Sequence, residues 1–589
     1  MQHPLDFYTA EKQKFSQQLS ALNKKIKNSS LIRLLVFVIA SVTVYFLFNN
    51  TYVVTVFIVI SLILFVFLVI KHDDLIVQRN LVNELLKINL TEIDVLQGDL
   101  SALEEGGEFI NHEHFYSYDI DLFGKGSFFQ FINRTATNSG KIKLSEILTA
   151  NKTDNIKEKQ IAINELSKLP KWRQYFTAIA KMVSVETDNR TIIHWIHNYQ
   201  NFTPNVMKFL PKVYSIISLI LIGLVSFGKI PFSIIGLWFF IGLAITFVYF
   251  KKINHLYQDA NKAKSTFKQY HKLLQEIENC SFTSNILIDN QNKIKTESKK
   301  ASVIFMEFSK ILDAFDQRNN MIFGVLGNAF LLWDLHQSYK IEKWIYHYHF
   351  QVEKWFEIIS FFDAQNSLAN YTFNHPKHIF PSLNTDESVI NAQKLGHPLI
   401  HQKVRINNNF SIKNKDFDII TGANMAGKST FLRTVSLNIV LSNIGLPVCA
   451  EKFEYTPIKL ITSMRTSDSL SEESSYFFSE LKRLKFIVDE MKNEKYFIIL
   501  DEILKGTNSK DKAIGSKKFV EKLVVSGSAG IIATHDLSLC EIEQEYTQIN
   551  NLYFDAEIIN NELHFDYKLK DGVCKNMNAS FLLKKMEIV

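Results

Sequence analysis

The longest feature of the hydrophobic pattern is a stretch with no Asp, Glu, Lys, Arg or His from Leu34 to Ile70. Asn49–Thr51 divides it into two apolar arms, Leu34–Phe48 and Tyr52–Ile70. A helix crosses a bilayer with about 20 apolar residues, roughly 17 at the least. The second arm meets that length, and the first reaches it by borrowing Leu31 and Ile32. A second pair of runs follows, Val213–Gly228 and Ile230–Phe250, joined through the turn "GKIP". The pattern therefore predicts four transmembrane helices in two hairpins, against the alternative of buried core helices, which rarely lack charge over such lengths. Lys24, Lys25, Lys27 and Arg33 precede the first hairpin and Lys71 follows it. Lys212 precedes the second, and Lys251 and Lys252 follow it. The positive-inside rule then places every polar domain in the cytoplasm. The expectation is a multi-pass protein of the cell (inner) membrane. The polar, amphipathic stretch before the first run argues against a cleaved signal peptide.

Between and around these runs the periodicity is helical. Residues 1–30 read as a cytoplasmic N-terminal helix, 31–72 as the first hairpin and 73–126 as a helical linker ending near Gly106–Gly107. A helical region over 127–390 is interrupted by the second hairpin at about 209–252. From about Ala392 the texture changes to short apolar runs, "FDIITG", "KLITSM", "YFIILDE" and "GIIATHD", each followed by a helix-like stretch. Strands alternating with helices predict a mainly parallel sheet, so 391–589 reads as an α/β domain. The fold class expected is multidomain: helical transmembrane hairpins and an all-α region, then an α/β P-loop NTPase domain of the ABC type.

That last domain carries the chemistry. Gly422–Ser429 fits G-x-x-x-x-G-K-[ST], placed between a strand and a helix start as the motif requires. The loop residues Gly422, Ala423, Asn424, Met425, Ala426 and Gly427 would cradle phosphates with backbone N–H groups. Lys428 would reach the β- and γ-phosphates, Ser429 would ligate Mg²⁺, and Thr430 continues the helix whose dipole favours the anion. Asp501 and Glu502 end the strand "YFIILDE"; Asp501 would hold Mg²⁺ and Glu502 would polarise an attacking water. His535 ends a third buried strand, where a γ-phosphate sensor would sit. ATP and Mg²⁺ are the expected ligands, with Lys428, Glu502 and His535 as the catalytic set. A net charge of +6 (66 Lys+Arg against 60 Asp+Glu) favours no particular partner. Four widely spaced cysteines without a C-x-x-C pair argue against a zinc or disulfide framework, reduced thiols being the plainer reading.

These motifs resemble the MutS DNA mismatch-repair ATPases, a branch of the ABC-type superfamily. "ITGANMAGKSTFLRT" is similar to the family's T-G-P-N-M-[GA]-G-K-S-T loop, "DEILKGTNSKDKA" to its D-E-x-x-[RK]-G-T-[ST] segment, and "ATHDLSL" to its A-T-H motif. "GHPLI" (Gly396–Ile400), "SDSLSEESSYFFSEL" (Ser467–Leu481) and "LKDGVCKNMNASFLL" resemble further family segments. Upstream, "NRTATNSG" within Ser127–Leu166 is similar to the N-R-T-x-T-x-x-G that opens the family's helical core. The resemblance implies a MutS-like core and lever over 127–390 and an ATPase that dimerises head to tail. Ser475 would complete the partner's ATP site, and Glu480 would match a family acidic residue. It also implies a DNA ligand and names no protein partner. Departures are Ala423 for the loop proline, Leu504 for a glycine and Glu473–Ser474 for Gly-Arg. No mismatch-reading domain and no nuclease module is expected, since a helix and a hairpin occupy the N-terminal region. "KIKTESKK" (Lys293–Lys300) is the strongest basic candidate for DNA, with a solvated helix face as its plainer reading. Two other functions remain open at this point: an ABC-type ATPase of a membrane transport system, and a nucleotide-binding scaffold without DNA binding.

Overall fold

The computed structural model describes residues 3–575 except 48–50, 184–186, 296–298, 385–387, 466–475, 506 and 560–561. The chain opens with two long antiparallel helices, α1 (Pro4–Leu47) and α2 (Thr51–Leu96). The N-terminal helix and the first apolar arm are thus one continuous element, and α2 carries its apolar arm 26 residues past Ile70, to Leu96. No residue of their apolar windows is buried within the protein. Their polar halves pack inward: Phe15 and Leu85 are buried together with Ala178. Ser29 and His72 pair at 3.2 Å between the two helices, just below the apolar arms. Residues 97–126 leave helix altogether, apart from one 3₁₀ turn (Gly107–Phe109). They dock on the C-terminal domain, where Asp119 accepts from Thr462 and Asp121 binds both Arg433 and Arg465.

The helical region is built from α3 (Phe128–Ile132), α4 (Asn138–Thr149), α5 (Ile156–Ser167), α6 (Pro170–Lys181) and α7 (Asn189–Asn198). After these come α8 (Leu210–Ser226), α9 (Phe232–Val248), α10 (Phe250–Asn279), α11 (Asn285–Asn292), α12 (Ala301–Asp316), α13 (Met321–Leu331) and the 42-residue α14 (Trp333–Asn374). An aromatic core of Phe267, Phe305, Phe308, Trp344, Trp355 and Phe356 locks α10, α12 and α14 together. The four predicted membrane spans are corrected here. Among the described residues only α1 and α2 are long and apolar enough to cross a bilayer. The helices of the second hairpin have 17 residues each, and α9 meets α10 at a 66° bend, so a third span exists only if that bent pair counts as one.

Upstream of the C-terminal domain, the N-R-T-x-T-x-x-G segment acquires a physical reason. Arg134 binds Glu92 of α2 at 2.5 Å, and Glu92 also accepts from Asn370 and Asn374 near the end of α14. Thr137 caps α4 and donates to the buried Asp363 of α14 at 2.7 Å, while Asp363 also accepts the N–H groups of Ala136 and Thr137. Burial lifts the Asp363 carboxyl to about 6 despite these donors. A Cβ on Gly140 would lie 2.1 Å from Asp363 Oδ2, so only glycine fits. Gly140→Ala is expected to cost about 1–3 kcal/mol by overpacking, read as a lower urea midpoint at an unchanged slope.

Among the described residues the C-terminal domain has three sheets, of six, four and two strands. Its strands are β1 (Ser382–Leu383), β2 (Ser388–Leu395), β3 (Asn408–Lys413), β4 (Phe417–Gly422), β5 (Lys452–Tyr455), β6 (Lys459–Ser463), β7 (Tyr496–Asp501), β8 (Ala529–Ala533), β9 (Ile549–Phe554), β10 (Glu557–Ile559), β11 (Glu562–His564) and β12 (Leu569–Asp571). The largest sheet has the order β12-β9-β4-β8-β7-β6, parallel except for the edge strand β12. Helices α15 (Lys428–Asn443), α16 (Tyr476–Glu490) and α17 (Ser509–Val525) flank it. Strands β4, β7 and β8 are buried almost throughout, which explains their unbroken apolar runs. The α/β texture expected from about Ala392 is present, and the chain as a whole is largely helical.

Candidate functional site

Because β4, β8 and β7 are neighbours running parallel, their C-terminal ends open on one edge of the sheet. Ligands of open α/β sheets bind outside the carboxyl ends of strands. Gly422 ends β4, Asp501 ends β7, and His535 lies two residues beyond β8. The loop Gly422–Gly427 joins β4 to α15, whose first residue is Lys428. Gly422 and Gly427 have φ of 150° and 105°. A Cβ on Gly422 would approach Phe554 O to 2.6 Å, so packing against β9 as well as backbone conformation demands glycine there. Met425, at φ 68°, takes the left-handed turn with its side chain exposed.

The polar side chains converge. Lys428 Nζ donates to Gly422 O at 2.7 Å and Ala423 O at 3.1 Å, and lies 3.2 Å from His535 Nε2. Burial pushes the Lys428 ammonium below its ordinary value, partly offset by Asp501 and Glu502. Ser429 Oγ donates to Asp501 Oδ2 at 2.6 Å. Glu502 Oε1 sits 3.0 Å from His535 Nε2, and this hydrogen bond holds the Glu502 carboxyl down at about 2. Glu502 occupies left-handed backbone space at φ 55°, and its N–H is held by Ala533 O. Glu480, buried on α16, accepts the N–H of Lys505 and so ties down the turn that follows the acidic pair. Leu504 in that turn has φ 58°, a conformation that favours glycine, which gives the departure at this position a physical meaning.

All of Ala423, Asn424, Met425, Gly427, Lys428, Ser429, Thr430, Asp501, Glu502 and His535 face one cleft of about 590 Å³. Gly422 and Ala426 lie behind its surface. Ser475 falls outside the described residues. The cleft is also lined by Val404, Arg405, Ile406 and Tyr567, which the sequence did not disclose. Tyr567 is pinned by its carbonyl to Asn408 Nδ2 at 3.0 Å, and its ring would lie 3.1 Å from a Cβ on Gly427. The basic segment Lys293–Lys300 forms no concentrated patch among its described residues: Lys299 is paired with Glu307, and Lys293 and Lys295 contact neighbouring asparagines.

Residues 418–585 match the family model described as MutS domain V. The human "MutS protein homolog 4" is 32% identical over 204 residues, 33% of this chain and 21% of that protein. "DNA mismatch repair protein MSH4" of Arabidopsis thaliana is 30% identical over 227 residues, 38% of this chain and 28% of the relative. "DNA mismatch repair protein MutS" of Finegoldia magna is 28% identical over 293 residues, 48% of this chain and 32% of the relative. The chain thus spans between about a fifth and a third of the length of these curated relatives. Through residues 418–585, the C-terminal domain of this chain is similar to MutS domain V.

Proposed function

We propose that this protein is a membrane-anchored MutS-like ATPase that binds ATP and Mg²⁺ on the β4–β8–β7 edge and couples hydrolysis to movement of its helical region. The observation that supports this best is the convergence of Lys428, the Ser429–Asp501 pair and the Glu502–His535 pair on one cleft. The loop N–H groups and the N-terminus of α15 suit a polyphosphate. The ammonium of Lys428 would exchange its carbonyl partners for phosphate oxygens. Ser429 and Asp501 offer two adjacent oxygens, the sparse protein contribution that Mg²⁺ prefers when phosphates and water complete its shell. Bound Mg²⁺ would neutralise charge on the phosphates. Glu502, ionised and oriented by His535, would take the proton of the attacking water. Val404, Ile406 and Tyr567 would face the base.

The resemblance extends this reading to a head-to-tail dimer in which Ser475 reaches the partner's ATP, and to DNA as ligand, gripped by backbone and shape. The α1–α2 hairpin would fix the machine to a membrane, with its polar halves and the ATPase on the cytoplasmic side. The test uses the full chain in detergent or vesicles. MgATP turnover is expected, with loss on chelation of Mg²⁺ and loss of nucleotide binding in Lys428→Ala. Binding of nucleotide without any turnover would favour a scaffold. Binding to duplex or branched DNA is expected to weaken as salt rises, with a log–log slope near −0.9 per phosphate neutralised. Affinity that ignores salt, or no binding at all, would remove DNA from the proposal.

A further inference from the structure

Arg318 and Asp334 are ion-paired at 3.1 Å, both nearly buried, and no charged residue stands between them in the sequence. Helix α13 occupies that interval, so the chain leaves the helical region and returns to it at one point. The excursion is apolar and its outer face is bare. Met321 is 85% exposed and Ile322 73%, with Val325 and Leu326 also exposed on the following turn. Its inner face packs on the second hairpin: Phe330 meets Phe239, and Gly242 of α9 leaves room for the Ala329 carbonyl, which a Cβ there would approach to 2.2 Å.

The ends of α13 are finished as they must be where water is scarce. A helix leaves its last carbonyls without internal partners, and a bilayer does not supply donors. Here Tyr214 Oη of α8 donates to Ala329 O at 3.2 Å and Ser218 Oγ donates to Phe330 O at 2.7 Å. At the other end Asn320 accepts the N–H of Phe323. Two hydroxyls from the second hairpin thus satisfy carbonyls of a helix distant in sequence. The polar base beside this unit is cationic. Lys212 lies close enough to Lys340 and His336 to depress both, after burial, and neither lysine has a carboxylate partner among the described residues. Lys251 and Lys252 stand exposed at the start of α10.

We infer that α13 is a re-entrant helix lying in the membrane interface beside α8 and α9, with Met321, Ile322, Val325 and Leu326 among acyl chains and Lys212 and Lys340 toward anionic headgroups. This rests on the proposed attachment of the chain to a membrane by its α1–α2 hairpin, with α8 and α9, too short for spans, lying against the same membrane. With 11 residues α13 is about 16 Å long, too short to cross a bilayer core of about 30 Å and suited to one leaflet. Its continuity into α14 would give the membrane surface a direct hold on the longest helix of the central region.

The test places an NBD fluorophore on Ile322→Cys in a Cys280→Ser background, the other cysteines being buried. Tyr346→Cys, 71% exposed on α14, serves as the aqueous control. The full chain is reconstituted in phosphatidylcholine–phosphatidylglycerol vesicles. The expected result is blue-shifted emission at residue 322, quenching by nitroxide lipids labelled near the headgroup, and iodide quenching reduced about fivefold or more against residue 346. If the protein floats with vesicles yet iodide quenches both positions equally, the inference falls while membrane attachment stands. Protection from iodide without quenching by nitroxide lipids would mean that protein covers α13, which also overturns it. Failure to associate with vesicles at all would overturn the membrane reading beneath it.

Discussion

Glu502→Gln is expected to leave ATP binding intact and to lower turnover by about two to four orders of magnitude, the usual contribution of a positioned general base. The amide keeps the size of the side chain and its place against His535, but it cannot take a proton from water. The carboxylate of Glu502 is ionised and held in position. His535 Nε2 holds it at 3.0 Å, and its carboxyl stays at about 2. A folded-state value below the ordinary carboxylate value means that the charge persists as pH falls, and is lost only near the bottom of the acid range. The fall of turnover on the acid side should therefore not report Glu502 itself. Single-turnover hydrolysis with equilibrium nucleotide binding measured in parallel separates the two effects. Equal rates for wild type and variant would remove Glu502 from the chemistry, and loss of binding would indicate a merely structural role.

The parts of this site that the sequence disclosed are those in which local pattern and chemistry coincide. Gly422–Ser429, Asp501–Glu502 and His535 each close a buried strand, so an apolar run and its terminal polar residue mark one place. Val404, Ile406 and Tyr567 escaped because they lie in loops and reach the cleft only through the fold. The apolar runs fall on α1–α2 and α8–α9, but pattern alone could not show that only the first pair has the length of a span, that α9 bends away from α10, or that α8 serves as a cap for α13. Helix α13 itself was hidden in a helical background, being too short to register as a membrane segment. Leu504 was visible as a departure, while its cost became evident only with its φ of 58°. The extent of α1 was misjudged for a related reason. A change from polar to apolar composition reads as a boundary, yet a helix passes through it without interruption.

Arg134→Met is expected to cost about 3–5 kcal/mol, the penalty for leaving a buried charge without its partner. Glu92 has 3% of its side chain exposed and Arg134 13%, and the pair is 2.5 Å apart. Burial raises the Glu92 carboxyl, but the charge and hydrogen bonds of Arg134, with the amides of Asn374 and Asn370, bring it below its ordinary value. Stability from this group is therefore fully present above the ordinary carboxylate range and fades as pH falls through the depressed value. The same cluster ties three elements to the end of α14. Tyr8 of α1 donates to Asn374 at 2.8 Å, Glu92 belongs to α2, and Arg173 of α6 donates to Asn370 at 2.7 Å. Met keeps the length and apolar stem of Arg134 while removing its charge, so lost packing contributes little. Adding Glu92→Gln to Arg134→Met should recover part of the loss, since both charges are then gone and the amide oxygen still accepts from one of the two asparagines. Urea unfolding followed by tryptophan fluorescence, at pH 7 and again at pH 4, would read both effects. Because α1 and α2 carry the apolar arms and α14 leads into the C-terminal domain that bears Lys428 and Glu502, a loosened cluster should also weaken any dependence of ATP turnover on vesicle reconstitution. Unchanged unfolding midpoints in Arg134→Met would show that the ion pair does not hold the α1–α2 hairpin to the helical region.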